Sequence, residues 1–248
     1  MWDLFVSIFI NVLLWIYNVI GQNFGIAIIL FTILIRIVTW PLNAQQMKSA
    51  KAMQDLQNDK EWQAIQKKYA KDREKLAQEQ MRLYREKGIN PFGSCLPTLI
   101  QLPILIGLYQ SIIRALAATP LDLLRLSQSI NPGFLDVANL IPLNSKFLWM
   151  NLGQPEPYYI LAIIVAATTY IQSKLTLPPA TNPNDQSAAM GQSMAITMPL
   201  MLGWFALTFP SGLSVYFITS NLLGIIQYAA QGKANWSNLL PKSMKKGS

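Results

Sequence analysis

Arg36 is the residue whose chemistry first asks for an explanation. It stands inside NFGIAIILFTILIRIVTWPL, residues 23–42, an otherwise apolar run long enough to cross a bilayer. At about 1.5 Å of rise per residue, Arg36 lies about 20 Å beyond Asn23 and about 9 Å short of Leu42, inside the hydrocarbon and nearer the exit. A cation at the centre of a span costs about 2.5–3.5 kcal/mol on insertion scales, so it faces a wet cavity or a partner rather than lipid. Thr32, Arg36, Thr39 and Asn43 follow at spacings of four, three and four, which gathers them on one helix face. The plainer alternative is a guanidinium that snorkels to the near interface while the threonines bond local carbonyls.

No acid can neutralise Arg36 from within a span. All twelve Asp and Glu fall at residue 3, within 55–86, or at 122, 136, 156 and 185. Transporters of protons and cations usually carry intramembrane Asp, Glu or His, and histidine is absent from the chain. With Cys95 as the single cysteine, a Cys/His metal site, an intrachain disulfide and a histidine-based triad are all excluded within the chain. No glycine-rich phosphate loop is visible and no cofactor is expected. The intramembrane polar groups are neutral instead, among them Thr98, Gln101, Thr168, Gln172, Tyr216, Ser220, Asn221 and Gln227. Singly, each is best read as an interhelical hydrogen bond worth about 0.6 kcal/mol. Converging, they would line a hydrated groove around one fixed positive charge.

The elements that must position these groups emerge from blocks of apolar sequence. The fold class is an all-α membrane protein with five transmembrane helices, an N-terminal interfacial helix and a cytoplasmic helical hairpin. Residues 1–22 place Asp3, Ser7, Asn11, Asn18 and Gln22 on one side and Trp2, Phe5, Phe9, Leu13 and Ile16 on the other, as in a helix lying along the interface; an extra span is the alternative. No basic n-region or cleavage site supports a signal peptide. The spans are 23–42, 93–118 with Pro97 and Pro103, 158–177, 193–209 and 212–230. The fourth, at about 17 residues and roughly 25 Å, is short enough to ask for a thinned bilayer. Between the first two, residues 43–92 read as two soluble helices, with Met47, Met53, Leu56, Trp62, Ile65 and Tyr69 on one seam, Leu76, Met81, Leu83 and Tyr84 on the other, and a turn near Lys71 and Asp72. Residues 119–157 form a loop on the far side, 178–192 a short polar linker and 231–248 a basic tail.

Charge decides the orientation. With the N-terminus outside, the inner side receives sixteen Lys and Arg and the outer side two, Arg125 and Lys146, as the positive-inside rule requires. The net charge of +8 therefore belongs to the cytoplasmic membrane surface, suited to anionic lipid or ribosomal RNA; no DNA partner is expected.

Four passages carry a resemblance. IRIVTWPL with its arginine, YREKGINPFGSCLPTLIQLPI, PYYILAIIVAATTYIQ and FPSGLSVYFITSNLLGIIQ resemble, in order and over nearly all of the chain, the YidC-type membrane protein insertases, relatives of the mitochondrial Oxa and chloroplast Alb insertases. The resemblance implies a non-enzymatic insertase of the bacterial inner membrane, in a minimal form without a large periplasmic domain. It further implies a hydrophilic groove open to cytoplasm and lipid but closed outside, with Arg36 drawing in polar or acidic client segments and Thr32, Gln101, Gln172, Tyr216 and Asn221 as groove neighbours. The implied partners are nascent membrane proteins and the lipid bilayer, with the ribosome, the signal recognition particle machinery and the Sec translocon around them. A transporter or channel for a small anion is the competing reading, since a lone arginine suits that role too.

Overall fold

Asn23 starts the helix that carries Arg36. Its side chain accepts the Ile26 N–H at 3.1 Å, filling one of the donor positions that a helix N-terminus leaves open. The computed structural model describes residues 2–57, 59–69, 72–89, 96–116, 126, 143–176, 186–232 and 236. Helix α1, Trp2–Val19, precedes the cap and α2, Phe24–Val38, comes after it. Gly21 and Gln22, both at positive φ, turn the chain between them, so that Tyr17 meets Phe24 and Phe9 meets Phe31. Val6, Ile10, Leu13 and Leu14 of α1 are buried, while Leu4, Ile8, Trp15 and Val19 are exposed beside Asp3 and Asn18.

The apolar run does not continue as one helix to Leu42. α2 stops at Val38, the Thr39 hydroxyl donates to the Ile35 carbonyl at 2.8 Å, and α3, Trp40–Gln57, leaves at 57°. Pro41 sits in the first turn of α3, where its missing N–H costs nothing and its fixed φ suits a helix start. The hairpin continues with α4, Lys60–Lys68, and α5, Arg73–Glu86, capped by Asp59 and Asp72. The first of the two expected helices is thus divided at Asp59. Leu56, Trp62, Ile65 and Leu83 form the hairpin's own core, with Tyr69, Leu76 and Tyr84 against it. Met47 is buried but outside that cluster, and Met81 is exposed.

Four more helices complete the described architecture: α6, Leu96–Ala115; α7, Ile160–Thr176; α8, Gln186–Thr208; and α9, Ser211–Ala230. α8 begins inside the stretch expected as a linker. Its 23 residues correspond to about 34 Å, so its length no longer asks for a thinned bilayer. By length and composition, Trp2–Val19 and Ser211–Ala230 each suffice to cross a membrane, the bent pair of α2 and Trp40–Met53 is a third candidate, and Ile160–Thr176 is a shorter apolar helix. Gly212 lies against Ile28, and Ser220 against Arg36; equal advances along both helices make α2 and α9 parallel.

Most of the expected loop 119–157 before Leu143 lies outside the described residues, as do Cys95, residues 177–185 and most of the tail. Beyond Leu143 the chain folds back on itself in a small antiparallel hairpin, β1, Lys146–Phe147, and β2, Met150–Asn151, with Phe147 opposite Met150. It seats on the N-terminal ends of α2 and α9. The Phe147 ring occupies the place where any Cβ on Gly25 would stand, 2.2 Å from its nearest atom, so this contact requires glycine. The Gly212 N–H donates to the Leu152 carbonyl at 3.0 Å, the Ser211 N–H to the Gln154 carbonyl at 2.8 Å, and the Ser211 hydroxyl to the Asn151 carbonyl at 2.7 Å.

Candidate substrate groove

Small residues on α9 let Arg36 reach into the bundle. Ser220 and Gly224 are four apart and face α2 and α7, the spacing that allows close approach of membrane helices. One terminal guanidinium nitrogen of Arg36, Nη2, donates to both the Ser220 carbonyl at 2.6 Å and the Ser220 hydroxyl at 2.8 Å. A Cβ on Gly224 would come 2.6 Å from the Gln172 amide nitrogen and 3.3 Å from Arg36 Nη2, so the bare glycine leaves room for both side chains. Asn221, one position on from Ser220, uses its amide to donate to Thr168 at 3.1 Å and Thr169 at 2.8 Å, tying α9 to α7. Gln101 of α6 donates to the Tyr216 hydroxyl, tying α9 to α6.

These ties frame a cavity of 670 Å³. Its polar lining includes Arg36, Asn43, Gln101, Thr169, Gln172, Ser173, Ser220 and Asn221, and its apolar walls are Leu102, Leu105 and Ile106 of α6 and Met198, Met201, Leu202 and Phe205 of α8. The walls close on each other through Tyr109 and Phe209, whose ring centroids lie 5.4 Å apart. Among the described residues of the lining, Arg36 is the one that carries a charge. A cation with its charge facing neutral donors and acceptors, in a chamber of low polarity, exerts a field that water screens poorly. Such a chamber attracts an anionic group on an otherwise apolar molecule.

Of the residues expected around the groove, Arg36, Gln101, Gln172 and Asn221 line it. Tyr216 lies just behind the surface, 1% exposed, and its hydroxyl accepts the Gln101 bond. Thr32 does not reach the cavity: it is 1% exposed in the packed part of α2, and its hydroxyl donates to the Ile28 carbonyl at 2.7 Å. The helical stripe was correctly spaced, but tertiary packing turned its upper end into the core. Ser220, the residue that holds Arg36, was visible only as one intramembrane hydroxyl among several. Its spacing of four from Gly224 was the available signal.

Over residues 15–235 the sequence matches the family described as 60Kd inner membrane protein. The chain belongs to that family. Among its relatives, the membrane protein insertase MisCA of Bacillus subtilis is 38% identical over 231 residues, covering 91% of this chain and 77% of the relative. A YidC insertase of Listeria innocua is 40% identical, covering 87% of this chain and 66% of its own. A crystal structure of an active YidC insertase superposes with a TM-score of 0.60 at 27% identity, over 93% of this chain and 46% of that one. Family membership makes this a bacterial membrane protein of the YidC type, and the insertases of this family are not enzymes.

Proposed function

We propose that this chain is a membrane protein insertase whose cavity receives a polar or acidic segment of a nascent client and releases its apolar part to the bilayer between α6 and α8. The observation that carries this reading is the pairing of a half-buried cation with apolar walls and, among the described residues of the lining, no acid. A client segment supplies what the site lacks: a carboxylate for Arg36 and an apolar stretch for Met198, Leu202 and Leu105. The names of the relatives favour this over a small-anion transporter.

In this reading α2, α6, α7, α8 and α9 are the five spans, with the N-terminus outside, α1 lying along the outer interface and the basic tail in the cytoplasm. The β-hairpin end is then the outer, closed side. Arg36, about 18 Å from the start of α2, serves the inner side. The charged hairpin α3–α5 projects into the cytoplasm, where ribosome, signal recognition particle machinery and Sec translocon are the candidate partners.

An insertion assay that crosses Arg36 variants with client tails tests the mechanism. Arg36→Lys keeps the cation and loses the planar fork, so it retains much of the activity. Arg36→Ala and Arg36→Glu fail with acidic tails and are milder with neutral ones. Equal loss for every tail would make Arg36 a structural or hydrating group and overturn its role as an attractant.

A further inference from the structure

The end of the molecule sealed by the β-hairpin carries a second surface that the groove does not use. The loop between β1 and β2 is only Leu148-Trp149, and of these two Leu148 alone has positive φ, at 54°. A two-residue hairpin loop with positive φ at its first position alone is a type II′ turn, where glycine is the usual occupant because it carries no Cβ. This chain places a leucine there, 73% exposed, followed by Trp149, also exposed. Further along, Tyr159 is a second bulky residue at positive φ, 61°, and both it and Tyr158 point to the outside. Two positions that would be relaxed with glycine are thus given to large apolar or aromatic side chains. Backbone strain kept at exposed bulky residues points to a use for those side chains.

Glu156 makes the two positions one unit. Its buried carboxylate accepts the Trp149 indole N–H at 2.8 Å and, through the other oxygen, the Leu161 N–H at 2.8 Å. The hairpin tip and the first turn of α7 are therefore held together, and their apolar surface runs on into exposed Ile160 and Ile163 along α7. Lys146 stands exposed on the same hairpin. Tryptophan and tyrosine combine an apolar ring with a polar handle, which suits the boundary between headgroups and acyl chains, and a lysine stem reaches from there toward phosphate.

We infer that Leu148, Trp149, Tyr158 and Tyr159 form an anchor seated in the bilayer interface at the sealed end, with Lys146 at the lipid phosphates. The inference rests on the reading of α7 as a span, and the test separates the two. In a Cys95→Ser chain, the single variants Leu148→Cys, Tyr158→Cys and Ile163→Cys are labelled with an environment-sensitive nitrobenzoxadiazole dye. The protein is then reconstituted alone into vesicles of phosphatidylethanolamine and phosphatidylglycerol. At 148 and 158 the emission shifts to the blue and loses most of its intensity to lipids with a nitroxide near the headgroup, and little to aqueous iodide. At 163, about 4.5 Å into α7, it is lost to a nitroxide on the upper part of the acyl chain and not to iodide. Iodide-quenched, water-like emission at either 148 or 158, with 163 still in lipid, overturns the anchor, leaves the span intact and assigns the surface to a protein partner. Water-like emission at 163 overturns the span reading and the anchor with it.

Discussion

Where α2 and α9 begin, they are joined by backbone and by the absence of side chains: Gly25 takes the Phe147 ring, and Ser211 and Gly212 donate their N–H groups to the Gln154 and Leu152 carbonyls just past the hairpin. Eight to twelve residues further along, the same two helices are joined through side chains, Arg36 to Ser220, with Gln172 beside Gly224. The first region is held at close range by the Phe147 ring on Gly25 and by three hydrogen bonds from Ser211 and Gly212. The second keeps a cation in a chamber whose other polar groups are neutral. One pair of parallel helices therefore makes a closed end by contact and an open end by spacing, and glycine serves both purposes: Gly25 to admit a ring, Gly224 to admit two polar side chains.

If the two ends are independent, they should fail differently. The largest stability loss is expected at the closed end. Gly25→Leu forces the Phe147 ring out of its place, an overpacking worth about 1–3 kcal/mol, and should lower thermal stability with an equal loss of insertion for acidic and neutral client tails. A tail-dependent loss would show that the ends are coupled. Ser220→Ala removes one of two bonds to Arg36 while the carbonyl keeps the other, a loss of roughly 0.6–1.7 kcal/mol on the scale of intramembrane hydrogen bonds. Its effect on insertion should grow with the acidity of the tail, and Ser220→Thr, which restores the hydroxyl, should recover it. Gly224→Ala is expected to be smaller again, because the nearest atom is the movable end of Gln172. It should reduce insertion of acidic tails slightly and leave melting unchanged.

The smallest effect belongs to the charged hairpin α3–α5, which lies outside the comparison and so serves as its control. The Glu61 N–H, and after it the Lys87 ammonium, hold the Asp59 carboxyl below the usual carboxylate range, and the bond to Asp59 raises the Lys87 amine. The two shifts have opposite consequences for pH. The Asp59 contribution is present above the ordinary carboxylate range and fades as pH falls through its depressed value. That of Lys87 is present below the ordinary lysine range and fades as pH rises through its raised value. Circular dichroism of the isolated segment should be flat near neutrality, with Asp59→Asn removing the acid-side change.

The sequence disclosed the groove better than its frame. Arg36 was legible because a charge in an apolar run has few places to go, whereas Gln101, Gln172 and Asn221 stood out from the other polar groups only through the family resemblance, and all three line the cavity. Thr32 was misplaced because a stripe of helical spacing fixes a face only to within the width of a neighbour, and packing against the core claimed its first member. The hairpin at 146–151 was invisible: two strands of two residues have no periodicity, and a II′ turn occupied by Leu and Trp hides its own signature. The start of α8 inside the linker was missed because its first residues, QSAAMGQS, form a helix without being apolar. Division of the charged hairpin at Asp59 depended on a cap that looks like any other acid in a charged helix.

The bond between Arg36 and Ser220 spans 184 positions of sequence. During synthesis α2 emerges 184 residues before its partner on α9, so at about 5–20 residues per second the arginine waits roughly 10–40 s for the group that will hold it. Its guanidinium must stay hydrated for that interval. The last of the described helices to be made is thus the one that completes the arginine's setting, and a chain truncated before α9 would leave the charge without the Ser220 ligand.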